Sequence, residues 1–382
     1  MDRRQFLATT SVAGAAAGLV ACGPGPGSGR RNTGEAREAG PGVVTRPRLR
    51  WRLASSFPGA LDVIHGGAVT FADRLQDLTD GRFEVEVFEA GEIVPALQVL
   101  DAVQSGSVEV GHTAGYYYLG KNPALVFDTT VPFGMRARQH DAWVREGGGE
   151  ALIAQTLADF GVVGFPAGNT GAQMGGWFRE EVRSLADLRG LRMRIPGLGA
   201  RVMERLGVIA QTIPGGEIYQ ALERGAIDAT EWVGPYDDTK LGFQEVAGTY
   251  HFPGWWEPSA TLSVYINRAA WDGLPSDYQA AIRLAAADAN ATMLHQYDAR
   301  NPAALASLVG EGVRLVSFPE DVLAAASREA ADLLQETARD AGAEYRTLLE
   351  SYQRFQAASD RWLSASELAL ARFAATAAQA PA

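Results

Sequence analysis

The sequence predicts an α/β fold of two lobes joined by a hinge, with a central cleft and a long C-terminal helix, and three observations carry that reading. Short β-rich runs alternate with amphipathic helical stretches in two successive series. A strand-like run, Leu262 to Ile266, returns toward the first lobe after the second series, so the connections cross and leave a cleft. From Pro319 to Ala378 the composition is almost wholly helix-forming. With 382 residues, 47% of them hydrophobic, the chain is long enough for two domains sharing a hinge.

The first series opens with Arg50-Trp51-Arg52-Leu53-Ala54 and a helix from about Leu61 to Leu78. Phe83 to Phe88 alternates apolar and charged residues at period two, the mark of a half-buried strand. A helix near Val94 to Ser105 and the strand Val108 to His112 complete a β-α-β-α-β unit with a mainly parallel sheet. The second series opens at Val162 to Pro166 and includes the strand Arg192 to Ile195, a helix from Gly199 to Leu206 and the run Ile209 to Ile213. A helix from Ile218 to Glu223 then leads into Ala226 to Trp232. The expected division is 48–168 plus 258–300 for the first lobe, 169–257 plus 301–349 for the second, and 350–378 for the C-terminal helix. Along that helix Tyr352, Phe355, Trp362, Ala369 and Phe373 form one apolar stripe, which must pack on its own domain or on a second chain.

Residues 1–22 read as an export signal. Arg3-Arg4-Gln5-Phe6-Leu7 resembles a twin-arginine signal, and Leu19-Val20-Ala21-Cys22 resembles a lipobox whose cysteine would carry the lipid anchor. Cys22 is the only cysteine, so the folded part has no disulfide, thiolate nucleophile or cysteine metal site. Residues 23–47, dense in Gly, Pro, Arg and Glu, cannot offset their ordering entropy and read as a flexible tether. The protein is expected to be periplasmic or otherwise extracytoplasmic.

A net charge of -11 with acids and bases dispersed argues against nucleic-acid and anionic-membrane partners. Beyond the N-terminus no apolar run is long enough to span a membrane. The five histidines are scattered without metal-site spacing, and no nucleophile elbow, P-loop or dinucleotide fingerprint is present. An anchored hydrolase or lyase is the alternative from another class, and it lacks a nucleophile paired with a base.

Three motifs remain: Asn169 to Phe178, Leu185 to Gly197 with its Leu-Arg-Gly-Leu-Arg-Met-Arg-Ile-Pro run, and Gly225 to Trp232. From about Leu49 to the C-terminus the chain resembles the DctP-type solute-binding proteins of tripartite ATP-independent periplasmic (TRAP) transporters. The resemblance implies a receptor rather than an enzyme, a membrane permease of small and large subunits as partner, and Arg194 as the residue that grips a ligand carboxylate. Gln173, Glu231-Trp232, Trp255-Trp256-Glu257-Pro258 and Tyr116 to Ala124 look like the branch that binds 2-oxo acids or lactate with a metal ion. Ser351 to Glu367 is similar to the helix that some 2-oxo acid binders exchange between two subunits, which implies a homodimer.

The residues have a physical reading of their own. A guanidinium at a strand end holds a carboxylate through two parallel charge-assisted hydrogen bonds, or forms a structural salt bridge. Glu231 and Glu257 flank tryptophans, and in dry surroundings a cation between them would relieve their repulsion; solvated or salt-bridged glutamates are the alternative. The Gln173 amide oxygen and the Trp232 carbonyl are hard donors suited to sodium or calcium. Counting the charges of Glu231, Glu257, Arg194 and one ligand carboxylate leans to calcium. A 2-oxo or 2-hydroxy monocarboxylate could chelate the same ion through its C2 oxygen. Tyr118, or its neighbour Tyr117, would donate a hydroxyl from the first lobe, and Asn169 would add an amide contact. Trp232, Trp255, Trp256 and Phe57 would form apolar walls or belong to the core. A family member that uses Arg194 without metal, for another organic acid or a polyol, is the alternative among receptors.

Overall fold

The structure, a computed structural model, describes residues 46–378. The first sheet has the order β2-β1-β3-β10-β4, built from β1 (Leu49–Ser55), β2 (Phe83–Phe88), β3 (Val110–Thr113), β4 (Val162–Asn169) and β10 (Thr261–Asn267). β1 runs parallel to β2 and β3, and β10 is antiparallel to both β3 and β4. The run at Val162 thus closes the first lobe, and the returning strand slots between β3 and β4. All four residues of β3 are buried, as a central strand covered on both faces requires. The helices α1 (Gly66–Leu78), α2 (Val99–Gln104) and α4 (Gly149–Ala158) cover this sheet, and α3 (Ala137–Glu146) packs on α4.

The second sheet, in the order β11-β9-β5-β8-β6-β7, takes β5 (Trp177–Phe178), β6 (Arg192–Arg194), β7 (Ile209–Gln211), β8 (Ala229–Thr230), β9 (Thr249–Phe252) and β11 (Arg314–Ser317). It is packed by α5 (Gly197–Arg205), α6 (Ile218–Glu223), α7 (Pro235–Lys240) and α10 (Glu320–Asp340), while α8 (Arg268–Asp272) follows β10. α9 (Ser276–Gly310), about 50 Å long at 1.5 Å per residue, runs across both lobes. Its buried Ala281, Ala285, Ala286 and Ala289 let it lie close on the first sheet. Farther along, the Tyr297 hydroxyl donates to Asp237 (2.6 Å) and Asn301 accepts from the Tyr236 backbone (3.1 Å), which fixes the helix to α7.

The C-terminal region differs from the expectation in two ways. The long helix is α11 (Ala343–Ala365), and a break at Ser366 starts a separate α12 (Glu367–Ala378). Residues 343–349, expected with the second lobe, lie on the first: Tyr345, Leu348 and Leu349 are buried in the cluster that holds Phe127 and Trp143. Tyr352 belongs there too, its ring against Phe127 and Trp143 and its hydroxyl accepting from the Met135 backbone (2.7 Å). The apolar stripe therefore divides, with Tyr352 in its own core and Trp362 and Phe373 64% and 71% exposed, beside Leu370 at 69%. The export signal, Cys22 and most of the tether lie outside the described residues. Among the described residues no helix is long and apolar enough to cross a membrane.

Candidate functional site

In the second sheet β6 and β8 run parallel, with Arg194 opposite Thr230, so the chain leaves both strands at the same edge. That register puts Glu231, the residue after β8, beside the Arg194 side chain. Both are 1% exposed. Arg194 Nη1 pairs with the Glu231 carboxylate and donates to its backbone carbonyl (3.2 Å), while Nε donates to the Ile213 carbonyl (3.1 Å). The guanidinium lies over the Trp232 ring, 5.1 Å from its centroid. In so dry a place the cation and anion need each other, since neither is hydrated.

Gln173, in the segment that crosses from β4 to β5, brings a second carboxylate into the group. Its Nε2 donates to Glu257 Oε2 and to Thr170 Oγ1, both at 3.0 Å. Its Oε1 is buried and has no donor. Burial pushes the Glu231 carboxyl up to about 7, against the pull of Arg194. It also raises Glu257 well above the usual carboxylate range, with the Glu231 charge acting in the same direction. Two buried carboxylates and an amide oxygen with nothing to accept from form an oxygen-only donor set that fits a hard cation.

Arg194 and Gln173 reach a small cavity between the lobes, with Thr170 beside them and Tyr116 and Tyr117 facing them from the first lobe. Glu231 and Glu257 stand one layer behind, on Arg194 and Gln173. The rest of the wall is apolar, from Phe57, Ile64 and Leu262 on one side and Trp232 and Val233 on the other. The accessible space there is about 10 Å³, room for roughly one water. A solute therefore enters only when the lobes part. Tyr116 and Tyr117 also line a neighbouring cleft of about 320 Å³ that Arg201, Glu204 and Gln211 border.

The lobes also meet outside the cavity. Asp62, two residues before Ile64, accepts from Arg300 Nη1 (2.8 Å) and the Tyr236 hydroxyl (3.1 Å) and pairs with Lys240. Tyr236 and Lys240 belong to α7, which follows Val233 closely, so one first-lobe carboxylate ties together segments that line the cavity.

Residues 54–340 match the family described as bacterial extracellular solute-binding protein, family 7, named DctP. The chain belongs to this family. It is a TRAP-type solute-binding receptor rather than an enzyme. A monocarboxylate 2-oxoacid-binding periplasmic protein of Nostoc is 48% identical over 98% of this chain and 100% of its own length. A TRAP solute-binding protein of Bordetella bronchiseptica, a mixed-occupancy dimer with calcium and picolinate in one site, superposes with a TM-score of 0.86. It is 44% identical, with 87% of this chain and 99% of that one covered. A Pseudoalteromonas atlantica protein with bound sodium and pyruvate has a TM-score of 0.83 at 37% identity, covering 85% and 99%.

Of the residues singled out in the sequence of this DctP-family receptor, Arg194, Gln173 and Trp232 reach the cavity, and Glu231 and Glu257 lie directly behind it. Two others do not arrive there. The Tyr118 hydroxyl is held inside the first lobe, accepting from the Leu100 backbone (3.1 Å) and bonded to Thr113 Oγ1 (2.9 Å), so Tyr117 and Tyr116 take the cleft position instead. Asn169 commits its amide to β10 and to the crossing segment, donating to Thr261 Oγ1 (3.2 Å) and accepting from the Gly171 backbone (2.9 Å). Trp255 and Trp256 pack in the second-lobe core, whereas Phe57 lines the cavity. Sequence reasoning missed Tyr116, Thr170, Ile64 and the Ile213 carbonyl. Thr170 lies within the Asn169 to Phe178 motif and Tyr116 opens the Tyr116 to Ala124 stretch, but a backbone acceptor such as Ile213 leaves no signal in side-chain identity.

Proposed function

We propose that this receptor captures a small 2-oxo or 2-hydroxy monocarboxylate of about the size of pyruvate, together with a calcium or sodium ion, and delivers it to a TRAP permease of small and large subunits. The observation that carries the reading is the buried Gln173 amide oxygen without a donor, on a side chain bonded to the buried Glu257 and lining the same cavity as the buried Arg194, which pairs with Glu231. The ligands of the relatives agree with it: 2-oxo acids, pyruvate with sodium, and picolinate with calcium. In picolinate a ring nitrogen sits where a 2-oxo acid has its C2 oxygen, so both chelate through a five-membered ring.

Each protein group has a distinct task. Arg194, held by the Ile213 carbonyl, presents its guanidinium to the ligand carboxylate. Tyr117, whose hydroxyl burial pushes up to about 12, stays protonated and donates from the opposite lobe. Trp232, Phe57 and Leu262 exclude water, which strengthens every charge-assisted bond inside. A bound cation would supply charge neutralisation, held by the carboxylates of Glu231 and Glu257, the Gln173 amide oxygen and the Trp232 carbonyl. Three carboxylates against one guanidinium leave two negative charges, which favours calcium over sodium.

The lipobox reading of Cys22 and the twin-arginine reading of Arg3-Arg4 complete the proposal as a tethered, extracytoplasmic receptor. The exposed Trp362, Leu370 and Phe373 support a homodimer through the C-terminal end, and light scattering on a chain lacking α12 should then show a monomer. Native mass spectrometry of gently purified protein tests the ligand. A co-purified three- to five-carbon 2-oxo or 2-hydroxy acid with one cation per chain is expected, and a polyol or dicarboxylate without metal would replace the reading with the metal-independent alternative.

A further inference from the structure

We infer that Gly215, a residue outside the ligand-holding set, is the positioning residue that fixes the depth of the cavity by setting where the Trp232 indole lies; the inference rests on the ligand reading above. Gly215 starts the short turn Gly215–Glu217 and is buried. Its φ is not among the positive values, so the backbone there does not call for glycine. The surrounding space does. A Cβ at Gly215 would stand 2.4 Å from Trp232 Cη2, 2.8 Å from Cζ3 and 3.1 Å from Cζ2. All three atoms belong to the six-membered ring of the indole, so the turn backbone seats that ring edge-on.

The indole cannot give way without consequence. It carries the Arg194 guanidinium over its ring and forms a wall of the cavity. Its neighbour Glu231 holds Arg194 from the other side. Two residues before Gly215 in the same loop, the Ile213 carbonyl accepts from Arg194 Nε (3.1 Å). One short run, Ile213-Pro214-Gly215, therefore positions both the guanidinium and the ring beneath it. A methyl at Gly215 must push the loop outward, which pulls the Ile213 carbonyl from Arg194, or push the ring into a cavity of about 10 Å³. Either movement displaces the carboxylate grip, and the second also shortens the chain that fits.

The test is a cycle of Gly215→Ala with Trp232→Phe, whose smaller ring lacks the atoms that the new methyl meets. Pyruvate with calcium is the titrant, read by calorimetry, and melting temperatures are taken with no ligand. Gly215→Ala alone should weaken pyruvate at least tenfold and lower the ligand-free melting temperature. In the Trp232→Phe background the same change should alter neither by more than the error of measurement. Gly215→Ala with wild-type affinity, or an equal loss of melting temperature in both backgrounds, would overturn the inference. If the wild type fails to bind pyruvate, the ligand reading falls, and the ligand-free cycle still decides whether Gly215 acts through Trp232.

Discussion

Replacing Arg194 with lysine separates the anchoring of the ligand from the integrity of the fold. The native guanidinium uses Nε for the Ile213 carbonyl and Nη1 for Glu231, and it stacks on Trp232. A lysine ammonium keeps the charge and can stay on Glu231, but one nitrogen cannot also reach Ile213 and still present two parallel donors to a carboxylate. Losing one charge-assisted bond to a buried anion costs about 2 to 4 kcal/mol, so the dissociation constant should rise roughly 30- to 1,000-fold. The Ile213 carbonyl, left without its donor, should cost about 1 kcal/mol of folding stability, a drop of roughly one to two degrees in melting temperature for a chain of this size. Calorimetry with pyruvate and calcium gives the first number, and differential scanning calorimetry without ligand gives the second. Unchanged affinity in a folded variant would remove Arg194 from the carboxylate grip and refute the reasoning.

Glu257→Gln should act in opposite directions on the free and the loaded protein: the ligand-free melting temperature rises because the cost of burying an ionisable carboxyl beside Glu231 is gone, while the stabilisation by added calcium largely disappears. A fall in the first or no change in the second would count against the cation reading. Asp62→Asn breaks the tie to Lys240, Arg300 and Tyr236. Ligand dissociation followed by stopped-flow tryptophan fluorescence should then quicken about three- to tenfold and lose its salt dependence; an unaltered rate would show that the tie does not hold the lobes shut. The ligand-free protein should also lose stability as pH rises from about 5 to about 8. Burial pushes Glu231 and Asp237 up to about 7 and Asp128 and Asp238 up to about 6. The folded chain thus binds protons that the unfolded chain has already released, and that contribution is lost through the raised values. A melting temperature that climbs over the same range would contradict it.

The alternation of strand and helix was legible because its cause is local. Phe83 to Phe88 reads as a strand since one of its faces meets helices and the other water. Arg194 was legible as a cation at a strand end and Glu231 as a carboxylate beside a tryptophan, but their pairing was not, because it follows from the register of β6 with β8. Which of three consecutive tyrosines faces the cleft was not legible, because a tight turn after β3 rotates each by a different amount. Tyr118 turns inward to Thr113, and Tyr117 outward to the cavity. The C-terminal stripe looked uniform at helical spacing, yet only its first residues meet Trp143 and Phe127, since α11 outruns the lobe it covers. The seat of Trp232 on Gly215 depends on a loop from elsewhere in the chain, and a glycine in a Pro-Gly-Gly turn carries no sign of it.

The most direct test of the central claim is a calorimetric titration of pyruvate into protein stripped of metal by exhaustive chelation, repeated after calcium or sodium is restored. The cavity geometry predicts little or no heat from the stripped protein and one pyruvate per chain once the cation returns, with the tighter binding in calcium. Equal pyruvate affinity with and without the ion would contradict the claim, and no binding under either condition would end it.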